Sequence, residues 1–352
     1  MVRARYRRQR LDGRSSRALL AMLALAMGAA VACQGSSSSA SPSSTSGSAS
    51  ATSSTADDGT SVKVVKDVSP SVVLIETASG LGSGEVYDGQ GHIVTNAHVV
   101  GSATAFRVTT SAGKQLGGTL VGTYPPDDIA VIKVDGNGLK PARFGDSSKL
   151  QVGQAVLAIG NPLGLVGSVT SGIVSALNRV VSEGEGAGTL PDAIQTSAAI
   201  NPGNSGGALV DLASEVVGIP TLAAVSPGSA GAPAPGIGFA ISSNRAKLIA
   251  DQLVQNGRVT NSHRAYLGVQ VADTESGQGV VVVQVVAGGP AAQAGIVSGT
   301  LITAVNGKPT PTTSQLSEVL AGLDPGQTVK VDVVQRDGTR TSVNVTLGEL
   351  PG

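Results

Sequence analysis

The chain is poor in cysteine, histidine and aromatic residues, and these scarcities limit how the fold can be stabilised and which sites it can contain. Its 352 residues include one cysteine, three histidines, no tryptophan and only 2% aromatic residues. A single cysteine cannot form an intramolecular disulfide, so packing must stabilise the fold. The sequence has no cluster of metal-ligating residues and no phosphate-binding loop, so we expect no metal and no cofactor.

The formal net charge is zero, but the charges are distributed unevenly along the chain. Seven of the 24 basic residues and one of the 24 acidic residues precede residue 18, so the remainder carries six more acidic than basic residues. Binding to nucleic acid requires a cationic surface, because contacts to phosphate supply most of the affinity. The composition therefore argues against nucleic acid as a partner of the mature protein.

The N-terminus has the pattern of a targeting segment. Its arginine-rich start is followed by an uncharged run, residues 18–32, which is shorter than the roughly 20 residues of a membrane-spanning helix and suits a signal peptide. The run ends in Ala-Val-Ala-Cys33, which resembles a bacterial lipobox with Cys33 as the lipidation site. We expect residues 1–33 to direct the protein to the extracytoplasmic face of a bacterial membrane as a lipoprotein. A cleaved secretory signal and an uncleaved signal anchor are the alternatives.

The segment that follows has the composition of a disordered tether. Residues 34–61 are dominated by serine, alanine, threonine and glycine, which cannot bury a core. The rest of the chain is rich in glycine and valine, with short apolar runs between turn residues. Such a pattern predicts a mostly β fold of many short strands, with its first domain beginning at residue 62.

The strongest chemical signal is the segment NPGNSGGAL, residues 201–209. Ser205 stands between glycines and precedes an apolar run, an arrangement typical of the nucleophile loop of a trypsin-like fold. A serine becomes an effective nucleophile when neighbouring backbone N–H groups bind the oxyanion formed on attack. We predict Ser205 as the nucleophile, with Gly203, Asn204 and Ser205 as the oxyanion-hole residues. Taken alone, the motif also fits a glycine-rich turn with a surface serine.

Two upstream residues match the base and the orienting acid that a serine nucleophile needs. His98 lies in TNAHVV, after a short apolar strand, and Asp128 begins the run DIAVIKV. The order His98, Asp128, Ser205 is that of double-barrel serine proteases and differs from the order in subtilisins and α/β-hydrolases. Asp127 is the competing acid. The remaining histidines lack such a context and are predicted to lie at the surface: His92 and His263.

Six segments together resemble the HtrA/Deg family of serine proteases. In chain order they are TNAHVV, DIAVIKV, GNPLGL, SVTSGIVSALNR, DAIQTSAAINPGNSGGAL and GIGFAI. The resemblance covers residues 62–257 and implies a trypsin-like domain of two six-stranded β-barrels with the active site between them. It also implies ATP-independent cleavage of unfolded or damaged proteins outside the cytoplasm, by homotrimers or larger homo-oligomers.

Specificity is predicted to come from residues that follow the nucleophile. An edge strand for an extended substrate is expected at Val216, Val217 and Gly218. A small apolar first subsite is expected at Ile237, Gly238 and Phe239. This subsite contains no acid that would select arginine or lysine, so we predict cleavage after valine, alanine or similar residues.

The remaining chain resembles a smaller α+β PDZ domain, residues 263–352, joined by a polar linker, residues 258–262. A helix from Ser243 to Asn256, capped by Ser243, closes the protease domain before this linker. The peptide-binding residues of the PDZ domain are predicted to be Tyr266, Leu267, Gly268, Val269, Leu316 and Leu320. Such a groove binds the C-terminus of a peptide as an added strand. A β-rich accessory domain of another kind is the alternative.

Two functions are compatible with this organisation. The first is a quality-control endopeptidase that a PDZ domain regulates. The second is a peptide-binding holdase or scaffold that captures unfolded chains with little proteolytic turnover. The ordered set of His98, Asp128 and Ser205 favours the first.

Overall fold

The computed structural model describes residues 55–78, 80–135, 138–161, 168–182, 189–201, 203–225 and 233–352. The predicted signal peptide, the lipidation site Cys33 and most of the predicted tether lie outside these ranges. Within them, no helix is both long enough and apolar enough to cross a membrane.

Helix α1, Thr55–Val68, begins inside the segment that we predicted to be a tether. Its residues Val64 and Val68 are buried in an apolar cluster that also contains Val72 and Ile159. Ile159 lies far along the chain, so the composition of the segment does not reveal this packing. The prediction of disorder is therefore wrong for residues 55–61, and the first folded unit begins before residue 62.

The first barrel is a closed antiparallel sheet in the order β1-β2-β3-β6-β5-β4. Its strands are β1 (Val72–Glu76), β2 (Leu81–Val86), β3 (His92–Thr95), β4 (Ala105–Thr109), β5 (Gln115–Tyr124) and β6 (Ile129–Val134), with helix α2 (Ala97–Val100) after β3. The interior is filled by aliphatic side chains such as Ile75, Ile93 and Ile132. Branched aliphatic residues suit a pleated surface, which explains how a barrel forms with so few aromatic residues.

The second barrel is closed in the order β10-β11-β12-β9-β8-β7. Its strands are β7 (Ala155–Gly160), β8 (Ser168–Ser182), β9 (Thr189–Thr196), β10 (Ala208–Asp211), β11 (Val216–Val225) and β12 (Pro233–Ser242). The core contains Ile194, Leu209 and Val217. The predicted pair of six-stranded barrels is confirmed.

Helix α3, Ser243–Asn256, contacts β5 and β6 of the first barrel and β11 and β12 of the second. Its buried face is the predicted one and contains Ala246, Ile249 and Leu253. The N-cap residue is Ser242, whose backbone is extended, and not Ser243, which already lies in the helix. The helix ends at Gly257, which adopts the left-handed conformation (φ +68°) typical of a C-cap.

The C-terminal domain is a smaller α+β unit. A main sheet has the order β14-β15-β16-β18-β19, β17 pairs with β16, and β13 pairs with β20. The elements are β13 (Ala265–Tyr266), β14 (Val269–Asp273), β15 (Val280–Val285), α4 (Pro290–Gln293), β16 (Leu301–Val305), β17 (Lys308–Pro309), α5 (Thr313–Ala321), β18 (Thr328–Val334), β19 (Arg340–Thr346) and β20 (Gly348–Glu349). Its own apolar core includes Leu267, Ile302 and Val331.

Candidate active site

His98 and Asp128 form a hydrogen-bonded pair at the end of the first barrel. His98 lies in α2, directly after β3, and Asp128 directly precedes β6, which pairs with β3. The two side chains meet with His98 Nδ1 2.8 Å from Asp128 Oδ2, and the His98 backbone N–H donates to Asp128 Oδ1 at 2.9 Å. A carboxylate that accepts from Nδ1 leaves Nε2 as the basic nitrogen of the neutral ring.

The structure separates Asp128 from its competitor Asp127. Asp128 is 2% exposed, and its Oδ2 also accepts a hydrogen bond from Thr221 Oγ1 at 2.5 Å. Asp127, which ends a short 3-10 turn, directs its carboxylate to Arg245 and Arg264 instead. Only Asp128 therefore orients the imidazole of His98.

Ser205 is connected to this pair through Thr221. Ser205 lies in the turn that precedes β10, and its Oγ lies 3.3 Å from the backbone oxygen of Thr221. The side chain of the same threonine donates to Asp128. Thr221 of β11 therefore contacts both Asp128 and Ser205, and Asp128 in turn holds His98. The His98 side chain is about half exposed while the Asp128 carboxylate is buried, so the ring is accessible and its orienting acid is protected from water.

The loop around Ser205 leaves two backbone donors available. Gly203 has φ +101°, a conformation that favours glycine, and among the described residues neither its N–H nor that of Ser205 donates a hydrogen bond. The adjacent amides are occupied, because Asn204 N–H donates to Asn201 O at 3.0 Å and Gly206 N–H to Pro220 O at 3.0 Å. Asn204 is therefore not an amide donor of the oxyanion hole, contrary to our prediction, because its N–H closes the turn.

Ser83, in β2, attaches this loop to the first barrel and was missed by the sequence analysis. The residue is completely buried. Its hydroxyl donates to Gly203 O at 2.6 Å and accepts from Asn161 N–H at 2.7 Å, while its own N–H donates to Ser205 O at 2.9 Å. One residue therefore holds both sides of the nucleophile loop. The only sequence signal is a serine between glycines in a strand, which does not identify its partners.

The other histidines lie away from this site. His92 is only 9% exposed, and its Nδ1 lies 2.6 Å from Asp88 Oδ2. The prediction that His92 is a surface residue is wrong, because the turn at Asp88 covers the start of β3. His263 is exposed, as predicted. Within the described ranges, no three histidine, cysteine, aspartate or glutamate side chains cluster closely enough to hold a metal ion.

Comparisons with known proteins agree with this geometry. A trypsin-like peptidase domain model matches residues 82–219, and a PDZ domain model matches residues 265–347. Serine protease PepD of Mycobacterium tuberculosis is 44% identical, over 83% of this chain and 66% of its own length. Protease Do-like 1, chloroplastic, of Arabidopsis thaliana is 38% identical, over 84% of this chain and 73% of its own. The solved structure of the HtrA-type protease AlgW with a tripeptide matches with a TM-score of 0.58 and 34% identity, over 83% of this chain and 97% of that chain.

The chain belongs to the HtrA family of serine proteases. It spans between 53% and 66% of the length of several of its curated relatives, including the PepD protein and the proteins named DegP-like. In this HtrA chain the C-terminal unit is the PDZ domain, as predicted.

The predicted edge strand of the HtrA chain is in the wrong place. Gly218 pairs with Leu209 of β10 on one side and with Ser242 of β12 on the other, and Val216 and Val217 are buried in the barrel core. Gly218 cannot accept a substrate strand, because β10 and β12 occupy both of its edges. Val216 is also paired on both sides, with Val210 of β10 and in a bridge with Phe144. The later part of β11, residues 221–223, pairs only with β12 among the described residues, and it lies beside Ser205.

The predicted first-subsite residues of the HtrA chain lie on β12, opposite this segment. Gly238 pairs with Ala223 of β11 and Thr196 of β9. A Cβ atom at Gly238 would lie 2.4 Å from Cγ1 of Ile200, so Ile200 packs directly on this glycine. Ile237 is 38% exposed and Phe239 is partly buried. Ile200, which precedes the nucleophile loop, therefore adjoins the predicted subsite residues, and the sequence analysis did not include it.

The predicted PDZ groove lies between β14, the edge strand of its sheet, and helix α5. Gly268 has φ +76° in the predicted carboxylate-binding loop, and Val269 begins β14. Leu267 and Leu316 are buried in the domain core, and Leu320 is partly buried against the same core. Leu267 and Leu316 therefore support the groove from beneath. The other side of α5 contacts β8 and β9 of the second barrel.

Proposed function

We propose that this HtrA chain is a serine endopeptidase that cleaves unfolded or damaged proteins outside the cytoplasm without ATP. The observation that supports this most directly is the 2.8 Å contact between His98 Nδ1 and Asp128 Oδ2. Thr221 links this pair to Ser205, because its side chain donates to Asp128 and its backbone oxygen accepts from Ser205 Oγ. Relatives are named serine protease and probable periplasmic serine endoprotease, which supports both the reaction and an extracytoplasmic location.

The reaction begins when His98 Nε2 accepts the proton of Ser205 Oγ as this oxygen attacks the carbonyl carbon of the scissile peptide bond. Asp128 stabilises the imidazolium that forms and keeps the ring in one orientation. The negative charge that develops on the carbonyl oxygen is bound by the N–H groups of Gly203 and Ser205, which donate to no other group among the described residues.

Collapse of this intermediate breaks the C–N bond, and His98 returns its proton to the leaving amine. A water molecule then attacks the acyl group on Ser205, with His98 again acting as the base. Hydrolysis releases the new carboxyl terminus and restores the serine.

The substrate chain is placed in the cleft by residues 221–223 of β11, whose free edge can pair with an extended peptide. Gly238, with Ile200 packed on it, makes the first subsite shallow and apolar. Small apolar side chains such as valine and alanine fit this site, because a larger one would displace Ile200.

The PDZ domain is proposed to bind the C-termini of peptides along β14 and to regulate cleavage. Solved neighbours that are described with a tripeptide or a decapeptide support peptide binding in this family. Lipidation at Cys33 and assembly into a homotrimer or larger homo-oligomer complete the proposal. Both rest on the sequence and on the resemblance to the family.

The test is degradation of a reduced, denatured protein by the full chain and by Ser205→Ala. We expect the substitution to lower the rate by at least about 10⁴-fold, the order lost when a triad member is removed. Ser276→Ala, the same substitution at an exposed serine of the PDZ domain, is the matched control and should have full activity. Equal degradation by the parent and Ser205→Ala would leave the holdase or scaffold as the function.

A further inference from the structure

Asp127, the residue before the orienting acid, is an acidic side chain with no exposure to solvent. Its Oδ2 accepts from Nε of Arg245 at 2.6 Å, and Nη2 of the same arginine is also 2.6 Å away. Its Oδ1 accepts from Nη1 of Arg264 at 3.1 Å. Burial raises the pKa of Asp127, and the two guanidinium groups act in the opposite direction by stabilising the ionised carboxylate.

The two arginines belong to different domains. Arg245 lies in α3, the helix that closes the protease domain, whereas Arg264 directly precedes β13, the first strand of the PDZ domain. Both side chains are about nine-tenths buried. Nη1 of Arg264 also donates to the backbone oxygen of Pro126 at 2.5 Å. The start of the PDZ domain therefore holds both a backbone group and a side chain of the turn that carries Asp128.

That turn needs restraint, because Asp128 has φ +53°, in the left-handed region. A residue with a Cβ atom is strained there and stays only where its surroundings hold it. On one side, Ala97 N–H and Asn96 Nδ2 donate to the backbone oxygen of Asp128. On the other side the restraint is the contact of Asp127 and Pro126 with the arginines.

We propose that Asp127 and Arg264 are positioning residues for catalysis, so that the PDZ domain takes part in aligning Asp128 with His98. The proposal rests on the proposed function. When Arg264 is in place, the turn is held from both sides and the Asp128 carboxylate faces the imidazole. When the PDZ domain moves and withdraws Arg264, Asp127 keeps only Arg245 and the turn is free to relax.

The test compares Arg264→Ala, Arg264→Lys and Asp127→Asn in the full chain. Arg258→Ala, at an exposed arginine of the linker that precedes Arg264, is the matched control. The substrate is a short amidated peptide, which lacks the terminal carboxylate that a PDZ groove binds. Misplacement of a catalytic group by a fraction of an ångström lowers kcat, so we expect about a 10-fold fall for Arg264→Ala and Asp127→Asn. KM should change by less than about two-fold.

Arg264→Lys should recover part of this loss, since lysine can donate to Asp127 or to Pro126 but cannot replace the guanidinium fully. A rise in KM with unchanged kcat, or unchanged kinetics in both Arg264→Ala and Asp127→Asn, would overturn the proposal. Either result would mean that the contact of Arg264 with Asp127 and Pro126 fixes the position of the PDZ domain and does not align the catalytic residues.

A second readout does not depend on turnover. The chain has three histidines, so isotope labelling of histidine allows the Nδ1 proton resonance of His98 to be followed by NMR. The resonance should shift or broaden in Arg264→Ala and stay unchanged in Arg258→Ala. If the parent and Ser205→Ala were equally inactive, the proposed function would fail, while this resonance would still decide whether Arg264 positions the His98–Asp128 pair. An identical resonance in Arg264→Ala would refute that role.

Discussion

Glu85 is a buried acid without a partner, and replacing it should stabilise the protein. It lies in β2 between Val72 of β1 and Val94 of β3. The residue is 0% exposed, and among the described residues neither carboxyl oxygen has a hydrogen-bond partner. Burial raises the pKa of Glu85 well above its ordinary value. The folded protein therefore holds the neutral acid at pH values where an exposed glutamate is ionised.

The expected effect of Glu85→Leu on the free energy of unfolding has two parts. Below the pKa of the unfolded chain, about 4.3, the variant should be more stable by about 1–3 kcal/mol, because an unsatisfied buried polar group is replaced by an apolar one of similar size. As pH rises above this value the unfolded chain loses the proton that the folded chain keeps. The parent then loses up to about 1.4 kcal/mol of stability per pH unit until pH reaches the folded pKa. The difference in stability between the parent and Glu85→Leu should therefore increase with pH.

The assay is urea unfolding of parent and variant from about pH 4 to about pH 7, both in a Ser205→Ala background that prevents self-cleavage. Glu85→Gln separates the two parts, because it keeps an unsatisfied polar group but cannot titrate. It should be no more stable than the parent near pH 4, and it should lack the loss of stability at higher pH. If parent, Glu85→Leu and Glu85→Gln gave parallel curves, Glu85 would not be an uncompensated buried acid.

Two further predictions concern the nucleophile loop. Ser83→Ala leaves Gly203 O and Asn161 N–H without their partner, so kcat for a peptide substrate should fall by about 10-fold, less than for loss of an oxyanion donor. A changed KM with unchanged kcat would contradict this. Ile200→Ala removes the side chain that packs on Gly238; mass spectrometry of digests of a denatured protein should show cleavage after larger apolar residues such as leucine, and an identical cleavage profile would exclude Ile200 from the first subsite.

The candidate catalytic groups could be predicted from sequence because their chemistry is carried by short segments. Ser205 needs a tight glycine-containing turn, which a few adjacent residues specify, and the order of His98, Asp128 and Ser205 distinguishes one protease architecture from others. The strands could be predicted for a similar reason, since runs of valine and isoleucine between turn residues are local signals. Their division into two six-stranded barrels was implied by the resemblance to the HtrA/Deg family.

What the sequence could not provide is the pairing of distant residues. Val216, Val217 and Gly218 look like an edge strand, but β10 and β12 occupy both sides of Gly218. Within the part of the chain that the structure describes, the edge without a second partner begins only after the register shift between Pro220 and Leu222, which alternation of residue types does not reveal. Helix α1 was missed for the same reason, because most of its packing partners lie in the second barrel.

The long-range contacts at the site explain why so much of the chain can influence it. His98 and Asp128 belong to the first barrel, whereas Ser205 belongs to the second. Hydrogen bonds connect the two barrels at the site. Ser83 of the first barrel holds the loop of Ser205, and Thr221 of the second barrel holds the carboxylate of Asp128. A shift of one barrel relative to the other must therefore strain the hydrogen bonds of Ser83 and of Thr221 at the same time.

Arg264 adds a third element, because it holds the turn of Asp128 from the PDZ side. The alignment of the three side chains is therefore a property of the assembled domains and not of any one loop. The proposed regulation through the PDZ domain then needs no long pathway, because Arg264 already contacts Asp127, the residue next to the acid that orients the catalytic base.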